Sequence, residues 1–236
     1  MTTPNASAAG KIARLLGRGH LKILVGFWAV MLVGWAGTVA TIETFVGLKT
    51  STWWWFTRSA PKYFLLVLGI LAASVYLPRF IAYGITRRDV RVGAGALAGV
   101  LALAFGALVM VGFGIESVVF SATGISDRLT DPYPISSVGD AVGIAVQTIL
   151  LCLVYPCAGW VLGAGYYRLG VWRGSLLLIP AIAPVFLAES ALDAGWLAAR
   201  FALGALGAAA AAACVAASAV LGHFVTRDIP VRSTSG

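Results

Sequence analysis

The sequence predicts an all-α polytopic membrane protein: six transmembrane helices preceded by a short N-terminal amphipathic interfacial helix. Three observations point there. Of the 236 residues, 60% are hydrophobic and only 11% are charged, whereas a soluble domain is about half apolar and about a quarter charged. Mean hydropathy is +0.92. The apolar residues also fall in long unbroken runs rather than the short alternating segments of a barrel. A bilayer core of about 30 Å takes about 20 residues of helix, and backbone groups in lipid must pair within their own segment. A water-soluble globule, a disordered chain and a nucleic-acid binder do not fit this composition.

Residues 1–22 read as a cytoplasmic segment. Lys11, Arg14, Arg18 and Lys22 recur at steps of three, four and four, which places them on one helical face. Ile12, Leu15 and Leu16 lie away from it. That pattern suits a helix lying on a leaflet with its basic side toward anionic headgroups. The first apolar run, Ile23 to Ile42, has no charge. It exceeds the roughly 7–15 residues of a signal peptide's apolar core, so a retained helix is expected. A first outer loop follows, with Trp53, Trp54, Trp55 and Phe56 as boundary aromatics.

The second run spans Tyr63 to Ile85 and contains Pro78 and Arg79. A kink is expected at the proline, and the arginine is expected to snorkel. Val92 to Ile115 forms the third run, Ala141 to Tyr167 the fourth, and the connection between them covers roughly Glu116 to Asp140. The fifth run opens at Gly174 and meets Glu189, and the sixth is Phe201 to Thr226. Together residues 23–226 make one membrane domain, with 227–236 as a cytoplasmic tail.

Six spans put both termini on one side. With that side inside, twelve of the seventeen basic residues face the cytoplasm, as the positive-inside rule demands. Of the acids, only Asp89 and Asp228 join them. The net charge of +8 is therefore mostly a topology signal, and no nucleic-acid partner is implied. The expected location is a bacterial cytoplasmic membrane, with membrane lipid as an evident partner.

Several polar positions stand out. The connection between the second and third runs is tight: Gly84, Ile85, Thr86, Arg87, Arg88, Asp89. Thr86 or Asp89 suits a helix cap, and the adjacent arginines suit carboxylates on a partner; on charge alone the turn needs no partner. Tyr166, Tyr167 and Arg168 close the fourth run as boundary anchors. Gly159 with Gly163, and Gly95 with Gly99, form small-residue faces that let helices approach closely. Gln147 and Tyr155 are candidates for a polar route or gate. So are Glu189 and Asp193, four apart on one helical face near Arg200, although their place near the boundary favours a salt-bridged cap on a short fifth helix. Cys152, Cys157 and Cys214 sit in apolar runs without zinc-type spacing. No metal, cofactor or catalytic residue is predicted, and no phosphate-binding loop is present.

The stretch Leu77 to Asp89, closing in Gly84, Thr86, Arg87, Arg88 and Asp89, resembles a segment of bacterial ABC exporter permeases of the second type. The Gly163 to Gly170 stretch, with Tyr166, Tyr167 and Arg168, is similar to the fourth-span ending of those subunits. Six spans, an N-terminal amphipathic helix and inside termini agree in layout. The resemblance implies a permease subunit facing a second permease, in a homodimer or heterodimer, with ATP hydrolysed on a separate ABC ATPase subunit. The turn from Gly84 to Asp89 would then touch that ATPase. Residues 194 to 199 are few for the re-entrant segment expected before the last span. The competing readings are a non-transporting scaffold or immunity protein and a proton-coupled carrier using Glu189, Asp193 or Asp140.

Overall fold

A computed structural model describes residues 6–197 and 201–226. Helices dominate, and no strand occurs among the described residues. The elements are α1 (Ala6–Phe45), α2 (Thr52–Leu71), a π-helical turn (Ala72–Tyr76), α3 (Leu77–Ala82), α4 (Arg87–Ala122), α5 (Val138–Ser175), α6 (Leu178–Leu197) and α7 (Phe201–Thr226). A 3-10 turn, Ser126–Arg128, lies between α4 and α5. Five segments are long and apolar enough to cross a bilayer: Gly10–Phe45, Thr52–Ala82, Arg87–Ala122, Val138–Ser175 and Ala205–Thr226. The expected fifth span corresponds to α6, which is 20 residues long and carries Pro184. Arg200, Arg227, Asp228 and Arg232 lie outside the described residues, as do residues 198–199 and the whole C-terminal tail.

The N-terminal segment differs from expectation. No boundary separates a surface helix from the first span: α1 runs unbroken for 40 residues, roughly 60 Å at 1.5 Å per residue. No proline interrupts it. Lys11, Arg14, Arg18 and Lys22 are all exposed. Ile12 and Leu16, however, are buried in a protein cluster with Leu77, Phe80 and Val90, while Leu15 points outward. The apolar stripe of this segment is thus spent on α3, α4 and α5 as well as on any leaflet.

Other boundaries also move. Trp53 to Phe56 are the first turn of α2, not a loop. Trp53 is fully buried, and its indole Nε1 donates to the Val109 carbonyl at 3.0 Å; only Trp55 projects as a boundary aromatic would. The third span continues past Ile115, so Glu116 is helical and the true connection begins at Thr123. The helix before Pro78 does not simply kink. Pro78 lacks an N–H and crowds the carbonyl four residues back, and the backbone widens into the π turn Ala72–Tyr76 immediately before it. Arg79 is exposed.

α2 and α5 form the tightest seam. A Cβ at Gly159 would overlap the Leu66 carbonyl oxygen, one at Gly163 the Ile70 carbonyl, and one at Gly69 the Pro156 carbonyl. Backbone therefore lies against backbone, as small-residue faces allow. Gly95 and Gly99 make no such contact; nothing lies within 4 Å of a Cβ at either. Above this seam, Phe27, Phe64 and Phe105 stack, with Phe27 and Phe64 centroids 4.3 Å apart. The connections 46–51 and 123–137 meet at one end of the bundle, where the Lys49 carbonyl accepts from Thr130 and Asp131 and Arg128 pairs with Glu43 at 2.8 Å. We call this the loop end. The turn between α3 and α4 marks the opposite, elbow end.

Candidate functional site

Two sets of predicted residues assemble, one at each end. Near the loop end, α2, α5 and α6 each present residues one or two turns apart along a face. Arg58 and Lys62 stand four apart on α2, Glu189 and Asp193 four apart on α6, and Gln147 and Tyr155 eight apart on α5. Arg58 Nη2 donates to Asp193 Oδ2 at 2.7 Å, and Gln147 Nε2 reaches Asp193 Oδ1 at 3.4 Å. Lys62 Nζ donates to Glu189 Oε1, which also accepts from the Tyr155 hydroxyl at 2.7 Å. The ammonium lies 5.4 Å from the Tyr155 ring centroid and 5.5 Å from that of Tyr63, so two ring faces share its charge.

The two ion pairs differ in environment. Arg58 and Asp193 are about 40% exposed, whereas Lys62 is 12% and Glu189 24% exposed. The inner pair is the one whose rupture strands a charge. A void of about 30 Å³ lies beside Arg58, Lys62, Gln147 and Thr148, room for a single water. Gln147 and Tyr155 are thus brought to Glu189 and Asp193, two pairs that the sequence offered separately. Their cationic partners Arg58 and Lys62 were not foreseen as part of the set. The signal was present in their four-residue spacing, which matches that of the two acids.

A second, unforeseen node uses Glu116, which is completely buried. Its carboxylate sits at the N-terminus of α2. Oε1 accepts from the Trp53 N–H at 2.8 Å, the Thr52 hydroxyl at 3.0 Å and the Trp35 indole at 3.3 Å. Oε2 accepts from the Ser51 hydroxyl at 2.5 Å and the Tyr133 hydroxyl at 3.2 Å. No cation pairs with it among the described residues. Its charge is held by five donors and by the positive end of the helix dipole. Burial pushes the Tyr133 phenol well above its ordinary value, and the neighbouring Glu116 charge and hydrogen bond add to the shift. Tyr133 therefore stays a donor. Glu116 ties α1, α2, α4 and the 123–137 connection together.

At the elbow end, Gly84 stops α3. Its φ of +79° lets its N–H bond to Ile81 O at 2.9 Å and that of Ile85 to Phe80 O at 3.0 Å, a Schellman ending that favours glycine. Thr86 then caps α4. Its Oγ1 accepts from the Asp89 N–H at 3.1 Å and donates to Asp89 Oδ2 at 2.7 Å. The elbow is thus two caps back to back, with Tyr83 and Arg88 exposed and Arg87 and Asp89 half-buried. Nearby, Arg168 Nη1 donates to the Val225 carbonyl at 3.1 Å, and Arg91 Nη1 reaches Thr226 Oγ1 at 3.4 Å. Tyr167 packs on the Leu77 and Val90 cluster, so Tyr167 and Arg168 hold the bundle together rather than only anchoring its boundary. Tyr166 is the more exposed member, with its hydroxyl 3.3 Å from Ser175 Oγ. The α5 helix breaks just beyond, at Gly170, where φ is +76°.

The chain matches no protein-family model, no curated protein and no solved structure.

Proposed function

We propose that this chain is the membrane-spanning permease subunit of an ATP-driven exporter of the second ABC type, coupled to a separate ATPase. In this reading α6 is the fifth of six spans, both termini are cytoplasmic, and the elbow end faces the cytoplasm. A second permease subunit completes the pathway, and the nucleotide is hydrolysed on the partner.

One observation carries the proposal. The Gly84–Asp89 elbow is short, capped from both sides and continuous with two long helical segments. A push on such an element is delivered to whole helices instead of being absorbed by a loop, which is what rigid-body coupling requires. Exposed Tyr83 and Arg88 give it a face for a partner's carboxylates. The carrier reading is weaker because its carboxylates are engaged. Glu189 and Asp193 are paired with Lys62 and Arg58, while Asp140 caps α5 through Ser136 and Ser137. A proton carrier needs a carboxylate that exchanges its proton.

The test is co-purification. The full chain is tagged and purified from the cells that naturally produce it, and an ABC ATPase subunit is sought in the eluate. The wild-type pair is expected to co-elute and Arg88→Glu to lose at least tenfold of the partner, while its elution volume stays that of the folded protein. Full retention of the partner by Arg88→Glu and by Arg87→Glu overturns the proposal. So does labelling of a cysteine at position 83 from outside intact cells.

A further inference from the structure

The connection between α5 and α6 is an exposed apolar turn at the elbow end. Val171, Trp172 and Leu176 all project from the bundle, and Ile179 carries the same surface into α6. Trp172 is 91% exposed, and no large apolar residue among those described is more so. An apolar patch of this kind marks a partner or a membrane surface. The charged residue within the connection is Arg173. It is exposed and pairs with no carboxylate among the described residues.

The turn is shallow and fixed. α5 breaks at Gly170, where φ is +76° and ψ is −178°. Gly174 then lies directly against Tyr166: a Cβ on it would stand 3.0 Å from the Tyr166 Cα. Ser175 Oγ donates to the Val171 carbonyl at 2.8 Å, and Leu177 covers Gly165, where a Cβ would meet its Cδ1 at 2.6 Å. By Gly174, therefore, the chain is back at the height of Tyr166. Trp172 is two residues from Gly174, at most about 7 Å of chain. A headgroup layer is about 5–8 Å thick, half the difference between a core of about 30 Å and a whole bilayer of about 40–45 Å. With the boundary at Tyr166 and Arg168, the turn stays inside that layer and does not reach the water beneath it.

We propose that the connection 170–177 is embedded in an anionic lipid leaflet, with Trp172 and Leu176 where headgroups meet acyl chains and Arg173 on lipid phosphates. Tryptophan suits that layer because its ring is apolar while its N–H still finds an acceptor. A guanidinium beside it matches phosphate oxygens in a fork and is drawn to the negative surface. The charge around the turn agrees. Arg79 and Arg88 are also exposed at this end, and the acid described there, Asp89, is already held by Thr86. A second copy of this chain would bring like cations to the same face, so it is the poorer occupant. The inference needs a bilayer but no ATPase, so it stands or falls separately from the permease reading.

The full chain, with Cys152, Cys157 and Cys214 replaced by alanine, carries a nitroxide on Trp172→Cys and is reconstituted into vesicles of phosphatidylcholine with phosphatidylglycerol. Power saturation then compares collisions with oxygen, which gathers in hydrocarbon, and with a water-soluble nickel chelate. Oxygen is expected to exceed nickel at least threefold. That ratio should fall at least twofold in phosphatidylcholine alone, and Arg173→Gln should erase the difference between the two vesicles. A second measurement leaves the cysteines in place: the tryptophan emission missing from Trp172→Phe should be the part quenched by brominated lipid and spared by iodide. Nickel collisions equal to those of oxygen mean a turn in water and overturn the proposal. Shielding from both reagents means packing against protein and overturns it too. Equal ratios in the two vesicles overturn the contact of Arg173 with anionic lipid, and quenching of the Trp172 emission by iodide overturns the insertion.

Discussion

Replacing Glu116 with alanine removes the acceptor for five donors at once. Two of them keep a second partner: Trp35 Nε1 still reaches Thr52 Oγ1 at 3.0 Å, and the Tyr133 hydroxyl still reaches Phe113 O at 2.9 Å. Three donors are stranded, namely the Trp53 N–H and the hydroxyls of Ser51 and Thr52. A buried donor left unmade costs about 1–3 kcal/mol. Rotation of the hydroxyls and entry of water into the vacated space lower the sum, so about 3–5 kcal/mol is expected. In a chain of this length about 1 kcal/mol moves Tm by roughly 2–4 °C, so Glu116→Ala should unfold roughly 6–20 °C below wild type. Glu116→Gln keeps one acceptor oxygen and should lie between the two. The assay is thermal unfolding in detergent, read by a thiol-reactive dye at Cys152, which is buried in the folded chain. A Glu116→Ala transition within about 2 °C of wild type would refute the claim that this carboxylate secures the α2 N-terminus.

The inner ion pair makes a different forecast. Lys62→Met strands Glu189 and should cost about 2–4 kcal/mol, whereas Lys62→Met combined with Glu189→Leu should recover at least half of that, measured as a double-mutant cycle on unfolding. Arg58→Ala, at the more exposed pair, should cost no more than about 1 kcal/mol. Gly159→Leu drives a side chain into the α2 backbone and should cost at least about 3 kcal/mol or prevent monodisperse expression; Gly99→Leu, on a face that meets nothing, should elute and melt like wild type.

Much of the candidate site was legible because helical periodicity is local. Spacing alone places Glu189 beside Asp193. It could not show which faces of α2, α5 and α6 would meet, so nothing local joined Arg58 and Lys62 to the acids. Glu116 was hidden for another reason. Hydropathy ends a span at the first charge, and a carboxylate looks costly inside a membrane helix. Its cost is met here by donors from three other segments, and none of them is near it in sequence. The same limitation applied to the small-residue faces. Gly159 with Gly163, and Gly95 with Gly99, look alike as sequence, yet only the first pair meets another backbone.

Composition and run length by themselves determined an all-helical chain with several helices long and apolar enough to cross a bilayer, where lipid leaves backbone polar groups no partner except within the helix. Residue type also offered Thr86 or Asp89 as the cap of α4, since capping acts within one turn, and the N-cap is Thr86. Only the tertiary structure decided that α1 continues unbroken through its basic segment, that Trp53 belongs to the core, and which charges neutralise one another. Those outcomes depend on contacts between residues dozens of positions apart, and no local pattern encodes which helix faces will be brought together.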